Sequence, residues 1–70
     1  MVKFECYVLQ KGLARYFQKL ETDKSVICSD SPFRANLFDN IVDASKFKSL
    51  LKSDYKEEFL IIKLWYNEWY

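Results

Sequence analysis

Two cysteines, a pair of adjacent glutamates and two arginines have the most capacity for chemistry in this chain, and each must be set against what surrounds it. Cys6 and Cys28 are nucleophile candidates, but a thiol or hydroxyl nucleophile usually needs a neighbouring base, most often histidine. The sequence contains no histidine. Two cysteines without histidine also make a poor zinc site, because four suitable ligands are hard to assemble. Glu57 and Glu58 are successive residues, so in an extended segment they point to opposite sides instead of sharing a proton. Asp23, Asp30 and Asp39 fall at turn and cap positions, which accounts for them. A single glycine, Gly12, excludes both the dinucleotide-binding G-x-G-x-x-G and the P-loop. No catalytic, cofactor-binding or metal-binding residue is expected, and the chain reads as a non-enzyme.

What remains is binding chemistry, concentrated at the carboxyl end. Phe59-Leu60-Ile61-Ile62-Lys63-Leu64-Trp65-Tyr66 is apolar on both sides of a two-residue alternation, and with Trp69 it holds both tryptophans. Phe59, Ile61 and Trp65 share one face with Lys63 among them; Leu60, Ile62, Leu64 and Tyr66 share the other. A strand apolar on both faces is either central in a sheet or lends one face to a partner. One reading has the helix, hairpin and tail cover both sets. The sharper reading leaves one set exposed, and tryptophan and tyrosine are enriched as interface anchors. Trp65, Trp69 and Tyr70 are therefore the candidate anchors, with Arg15 and Arg34 as candidate charged contacts.

The elements that must position these residues follow from pattern. Val2–Leu9 alternates as a strand, Gln10-Lys11-Gly12 turns, and Leu13–Leu20 returns as the second arm of a hairpin. Glu21–Lys24 is a polar turn, and Ser25–Ser29 is a short β-branched third strand. Asp30-Ser31-Pro32 starts about one helical turn, Pro32 to Ala35. Asn40 caps the main helix, with Asp43 three residues on. Ile41, Ala44, Phe47, Lys48 and Leu51 form its stripe, widened by Leu50, and the helix should end near Ser53-Asp54. The final strand runs from about Glu58 to Tyr66. The expected fold is α+β: a three- or four-stranded sheet packed on one main helix, in the order β-β-(β)-α-β, as a single domain spanning residues 1–70. Alternating directions place the last strand parallel to the first, beside it and in the middle of the sheet.

Composition limits the partners. Half of the residues are hydrophobic and 19% are aromatic, far too apolar for a disordered tail. A formal charge of +1 lowers the expectation of a nucleic-acid binder, which needs cations for phosphates. Nucleic-acid binding through the hairpin face, by Arg15, Tyr16 and Lys19, is the second reading, and a structural homo-oligomer the third. Lys11-Gly12-Leu13-Ala14-Arg15-Tyr16-Phe17 matches the RNP1 strand of RNA-recognition motifs at lysine, glycine and alanine only. That fold also needs two helices, so the family is set aside. Cys6 and Cys28 read as reduced core thiols. Glu5 stands where a signal peptide needs an apolar core, and the longest apolar run is too short to span a bilayer. The expected location is the cytoplasm, with no membrane partner.

One resemblance adds a provenance. Ala35-Asn36-Leu37-Phe38-Asp39-Asn40 leads into Ile41-Val42-Asp43-Ala44-Ser45-Lys46-Phe47, after an aromatic hairpin and before an apolar strand. This arrangement, over roughly half of the chain, resembles short uncharacterised bacteriophage and prophage proteins. The resemblance implies a module that binds a host protein, such as a defence or transcription component, and redirects it.

Overall fold

The computed structural model describes residues 2–23 and 25–68, with side chains described for 5–23 and 25–65. Alternating apolar runs form β1 (Val2–Lys11), β2 (Arg15–Leu20) and β3 (Val26–Ser29). A single 3-10 turn at Pro32–Arg34 then leads to the helix α1 (Ile41–Tyr55) and to β4 (Leu60–Glu68). The four strands form one antiparallel sheet in the order β3-β2-β1-β4, with the helix on one face, an α+β fold.

Local signals act where the sequence carries them. Gly12 takes a positive φ of 67° in the hairpin turn, and Gln10 Nε2 donates to the carbonyls of Gly12 and Leu13, tying the turn to the strand. The Ser31 hydroxyl accepts from the Phe33 N–H at the start of the Pro32 turn. Asn40 Oδ1 accepts from the Asp43 N–H at 2.9 Å, and Asn40 Nδ2 donates to the Asp43 carboxylate at 3.1 Å. This closes the start of α1 from both sides. The helix stops at Lys56, which takes a left-handed conformation with φ 58°.

The final strand departs from the sequence expectation in two ways: β4 lies beside β1, but antiparallel to it, and at the edge of the sheet. The reason lies in the segment between β3 and α1. β1 and β2 pair at only Gln10↔Tyr16 and Lys11↔Arg15 before diverging. Residues 36–38 enter the gap, where the Asn36 N–H donates to the Phe17 carbonyl and Phe38 exchanges two backbone hydrogen bonds with Tyr7. The chain thus returns along the sheet before α1 begins, so the helix delivers β4 in the direction opposite to β1. An interior strand with buried side chains on both faces exists, but it is β1, over residues 6–9. Leu9 on the helix side and Val8 on the other are both completely buried, and Cys6 nearly so.

The core beneath α1 joins Leu9, Phe17, Phe38, Ala44, Leu51 and Phe59. The Phe17 and Phe47 ring centroids lie 5.0 Å apart, those of Phe38 and Phe47 5.7 Å, and Phe17 meets Phe59 edge-on at 6.2 Å. Three rings thus tie β2, the inserted segment and the approach to β4 onto Phe47 and one another. The helical stripe is only partly used: Ala44 and Leu51 are buried and Phe47 half-buried, whereas Ile41 and Leu50 are exposed. The β1–β4 ribbon outruns this core, and the long axis of the molecule is 41 Å against 24 and 23 Å across.

The two positive-φ positions give opposite predictions. A Lys56→Gly variant relieves the left-handed penalty and should gain about 0.5–1 kcal/mol, raising Tm by a few degrees. Gly12→Ala meets no atom within 4 Å, so its cost is backbone strain alone, about 1 kcal/mol. Thermal melts monitored by circular dichroism check both signs.

Candidate functional site

The candidate residues fall into two places. Trp65 is opposite Glu5 in the β1–β4 register, while Arg15 is opposite Lys11 in the β1–β2 register. These rows are six residues apart along β1, roughly 20 Å at strand rise. The structure therefore does not bring Trp65 together with the arginines. Trp69 and Tyr70 lie outside the described residues.

The first place is the open side of β4. Because the Tyr7 N–H and C=O are spent on Phe38, the Tyr7↔Lys63 pair is a non-hydrogen-bonded pair of the β1–β4 ladder. Antiparallel alternation then turns the backbone groups of Ile61, Lys63 and Trp65 toward the outer edge, and those of Leu60, Ile62 and Leu64 toward β1. Among the described residues no strand pairs with that edge. Its side chains differ by face. Leu60 is 66% exposed on the face away from the helix, with Ile62 and Leu64 half-buried beside it. Trp65 is 55% exposed on the other face. Lys63, which breaks the apolar run in the sequence, has a defined role there: its Nζ lies 4.7 Å from the centroid of the Trp65 ring and 3.3 Å from Glu5 Oε2. Both contacts are exposed and worth at most about 1 kcal/mol each, but together they hold the indole against the ribbon. Sequence reasoning placed Lys63 on the Trp65 face and missed its bridge to Glu5, which only the register of two distant strands reveals.

The second place is an open groove of 760 Å³ at the hairpin end, where Arg15 and Arg34 both form part of the lining. The turn Gly12-Leu13-Ala14 bounds one side and the Ser29-Asp30 corner another. The Ser29 hydroxyl, buried at that corner, accepts from the Ser31 N–H and donates to the Ser31 carbonyl, which fixes the turn toward Arg34. Cys28 also lines the groove.

The two thiols do not pair. Burial pushes the Cys28 thiol above its ordinary pKa; Lys11 and Arg15 pull it back and Glu57 adds to the rise. Burial raises the Cys6 thiol as well, assisted by the Asp39 carboxylate. Neither carries the depressed pKa of an activated nucleophile. Among the described residues no three acidic or cysteine side chains group so as to hold a metal ion, and no helix is long and apolar enough to cross a membrane. The hairpin does not assemble a base-stacking platform either. Arg15 and Tyr16 are successive strand residues and point to opposite faces, and Lys19 is engaged by Glu21 at 3.1 Å.

No protein-family model, curated protein or solved structure matches the chain.

The thiols give a pH prediction. A raised folded-state pKa means that the unfolded chain ionises first, so this contribution to stability is complete below the unfolded thiol value and is lost as pH rises through the folded one. Iodoacetamide should modify half-buried Cys28 before buried Cys6, both slowly at neutral pH, and denaturation midpoints should fall in alkaline buffer. Mass spectrometry of the alkylated peptides and urea titrations against pH check this.

Proposed function

We propose that this protein is a small non-enzymatic protein-binding module whose contact surface is the open edge of β4 with Trp65 and Leu60. The observation that carries the reading is that a nine-residue strand, with an apolar run on both faces, sits at the sheet edge, where no further strand among the described residues pairs with it. Natural edge strands are usually shortened, covered or charged, because such an edge templates pairing with another chain. Adding an extended segment there gives main-chain hydrogen bonds for affinity, while alternate side chains set specificity. The Trp65 ring, with the Lys63 ammonium 4.7 Å from its centroid, is of the residue type enriched at binding hot spots. The resemblance of residues 35–47 to phage and prophage proteins extends the reading to a regulator or inhibitor of a host protein.

The test uses two variants that act on the edge by different means. Trp65→Ala removes the anchor and leaves the core untouched. Lys63→Pro deletes an outward N–H without breaking the β1–β4 ladder, because proline is tolerated where the N–H faces solvent. Capture from a host lysate, read by quantitative mass spectrometry, should yield a protein retained by the wild type and reduced at least several-fold with either variant, both variants keeping a native circular dichroism spectrum. A captured set that does not change in either variant removes the edge as the contact surface. Self-pairing would use the same edge, and a mass that doubles with concentration in light scattering and reverts in Lys63→Pro identifies it.

A further inference from the structure

The chain's two arginines line one groove together with Lys11, which is paired with Glu57, whereas Lys46 and Lys48, also without an ion pair among the described residues, lie outside it. Every ion pair among the described residues uses a lysine: Lys11 with Glu57, Lys19 with Glu21, Lys52 with Glu58 and Lys63 with Glu5. Neither guanidinium has a hydrogen-bond or ion-pair partner among the described residues, yet both line the same 760 Å³ groove. Arginine is the side chain whose planar fork matches phosphate and carboxylate oxygens, and two forks without an ion-pair partner among the described residues bring two positive charges to one groove, against the single carboxylate of Asp30 on its lining.

We infer that this groove binds the phosphate group of a small phosphorylated molecule through Arg15 and Arg34, a site distinct from the β4 edge. A phosphate monoester carries close to two negative charges at neutral pH, which two guanidiniums match, whereas a carboxylate is satisfied by one. The volume lies within the usual range of small-ligand sites. The carbonyls of Gly12 and Leu13 at the turn are already engaged by Gln10, which removes two acceptors that would oppose an anion. Asp30 lines the groove without pairing with either arginine. It favours a ligand that presents a hydroxyl or amine beside its phosphate, and it opposes a uniform polyanion. A nucleic-acid strand is the poorer occupant for that reason, and because Lys19 is already engaged by Glu21 and Tyr16 points to the other face.

The experiment is a two-dimensional amide NMR titration with inorganic phosphate, ribose 5-phosphate and a single-stranded oligonucleotide, at ionic strength held constant with chloride. Saturable shifts are expected at residues 12–15 and 29–34, with ribose 5-phosphate binding more tightly than inorganic phosphate. Arg15→Gln and Arg34→Gln should each weaken ribose 5-phosphate binding about ten-fold. Lys19→Gln leaves it unchanged, and Asp30→Asn narrows the preference for the sugar phosphate. All four side chains are exposed, so the spectra of the variants should remain native. The inference is overturned by any of three results: no saturable shift at tens of millimolar phosphate, shifts that survive in both arginine variants, or an oligonucleotide that binds more tightly than ribose 5-phosphate and moves Tyr16 and Lys19. None of these results bears on the β4 edge, which the Trp65 and Lys63 variants test separately.

Discussion

The exchange of backbone hydrogen bonds between Tyr7 and Phe38, at 2.9 and 2.8 Å, sets the direction of everything that follows it in the chain. The hairpin of β1 and β2 holds together for only two residue pairs, and further down the strands separate with their facing backbone groups unmatched. In a buried site an unpaired N–H or C=O costs about 1–3 kcal/mol, more than the net gain from a typical hydrogen bond. The inserted segment satisfies Phe17 through Asn36 and Tyr7 through Phe38, and in doing so it carries the chain back along the sheet. The helix therefore begins where a direct connection from β3 would have ended it. Its direction, the antiparallel pairing of β4 and the open edge of β4 are consequences of that one insertion.

The same segment ties polar satisfaction to packing. Phe38 fills the gap with its backbone and places its ring against Phe47, which also meets Phe17. One residue thus closes a sheet defect and seats the helix. On the opposite face, Asp39 acts on the thiol of Cys6, whose side chain lies with Val8 in a second buried layer. β1 thus has buried side chains on both faces, although a single helix covers only one. A small domain with half of its residues apolar hides much of its surface without a second helix, and the large apolar side chains it leaves exposed are spread over the hairpin turn (Leu13), the Pro32 turn and the segment after it (Phe33, Leu37), the helix (Ile41, Val42, Leu50) and β4 (Leu60, Trp65).

Local chemistry was legible in the sequence and long-range placement was not. The third strand, the Pro32 turn and the Asn40–Asp43 cap are each written within a few residues and form where those residues direct, whereas the hairpin turn forms two residues later than expected, at Gly12-Leu13-Ala14 instead of Gln10-Lys11-Gly12, with Gln10 and Lys11 extending β1. The final strand was legible as a strand but not as an edge, because its place depends on hydrogen bonds from residues 36–38 to β1 and β2. A signal for the interior strand was present nonetheless: Cys6-Tyr7-Val8-Leu9 is an unbroken apolar run within an otherwise alternating segment, the mark of burial on both faces. Ile41 fits the helical stripe by spacing yet is exposed, because spacing says nothing about where the first turn of a helix lies relative to a sheet. Arg15 and Arg34 were named as charged contacts, but their meeting in one groove depends on the Ser29–Ser31 corner folding back toward the hairpin turn, which no local pattern encodes.

Lys63 places a charge in the middle of the edge strand. A charged residue in the middle of an edge strand opposes indiscriminate pairing, because an incoming strand must desolvate it. Here the ammonium is anchored to Glu5 and to the Trp65 ring, so it remains at the edge instead of swinging clear. The strand then presents two unlike faces to any incoming segment: Leu60, Ile62 and Leu64 on one, and Lys63 with Trp65 on the other. A partner that is apolar on both faces meets the charge, and one that is polar on both forfeits the leucine face. In the proposed binding role, selectivity would come from the mismatch between faces as much as from the area of either. If β4 is the contact surface, the single lysine that interrupts the hydrophobic run is the residue that makes its two faces unlike.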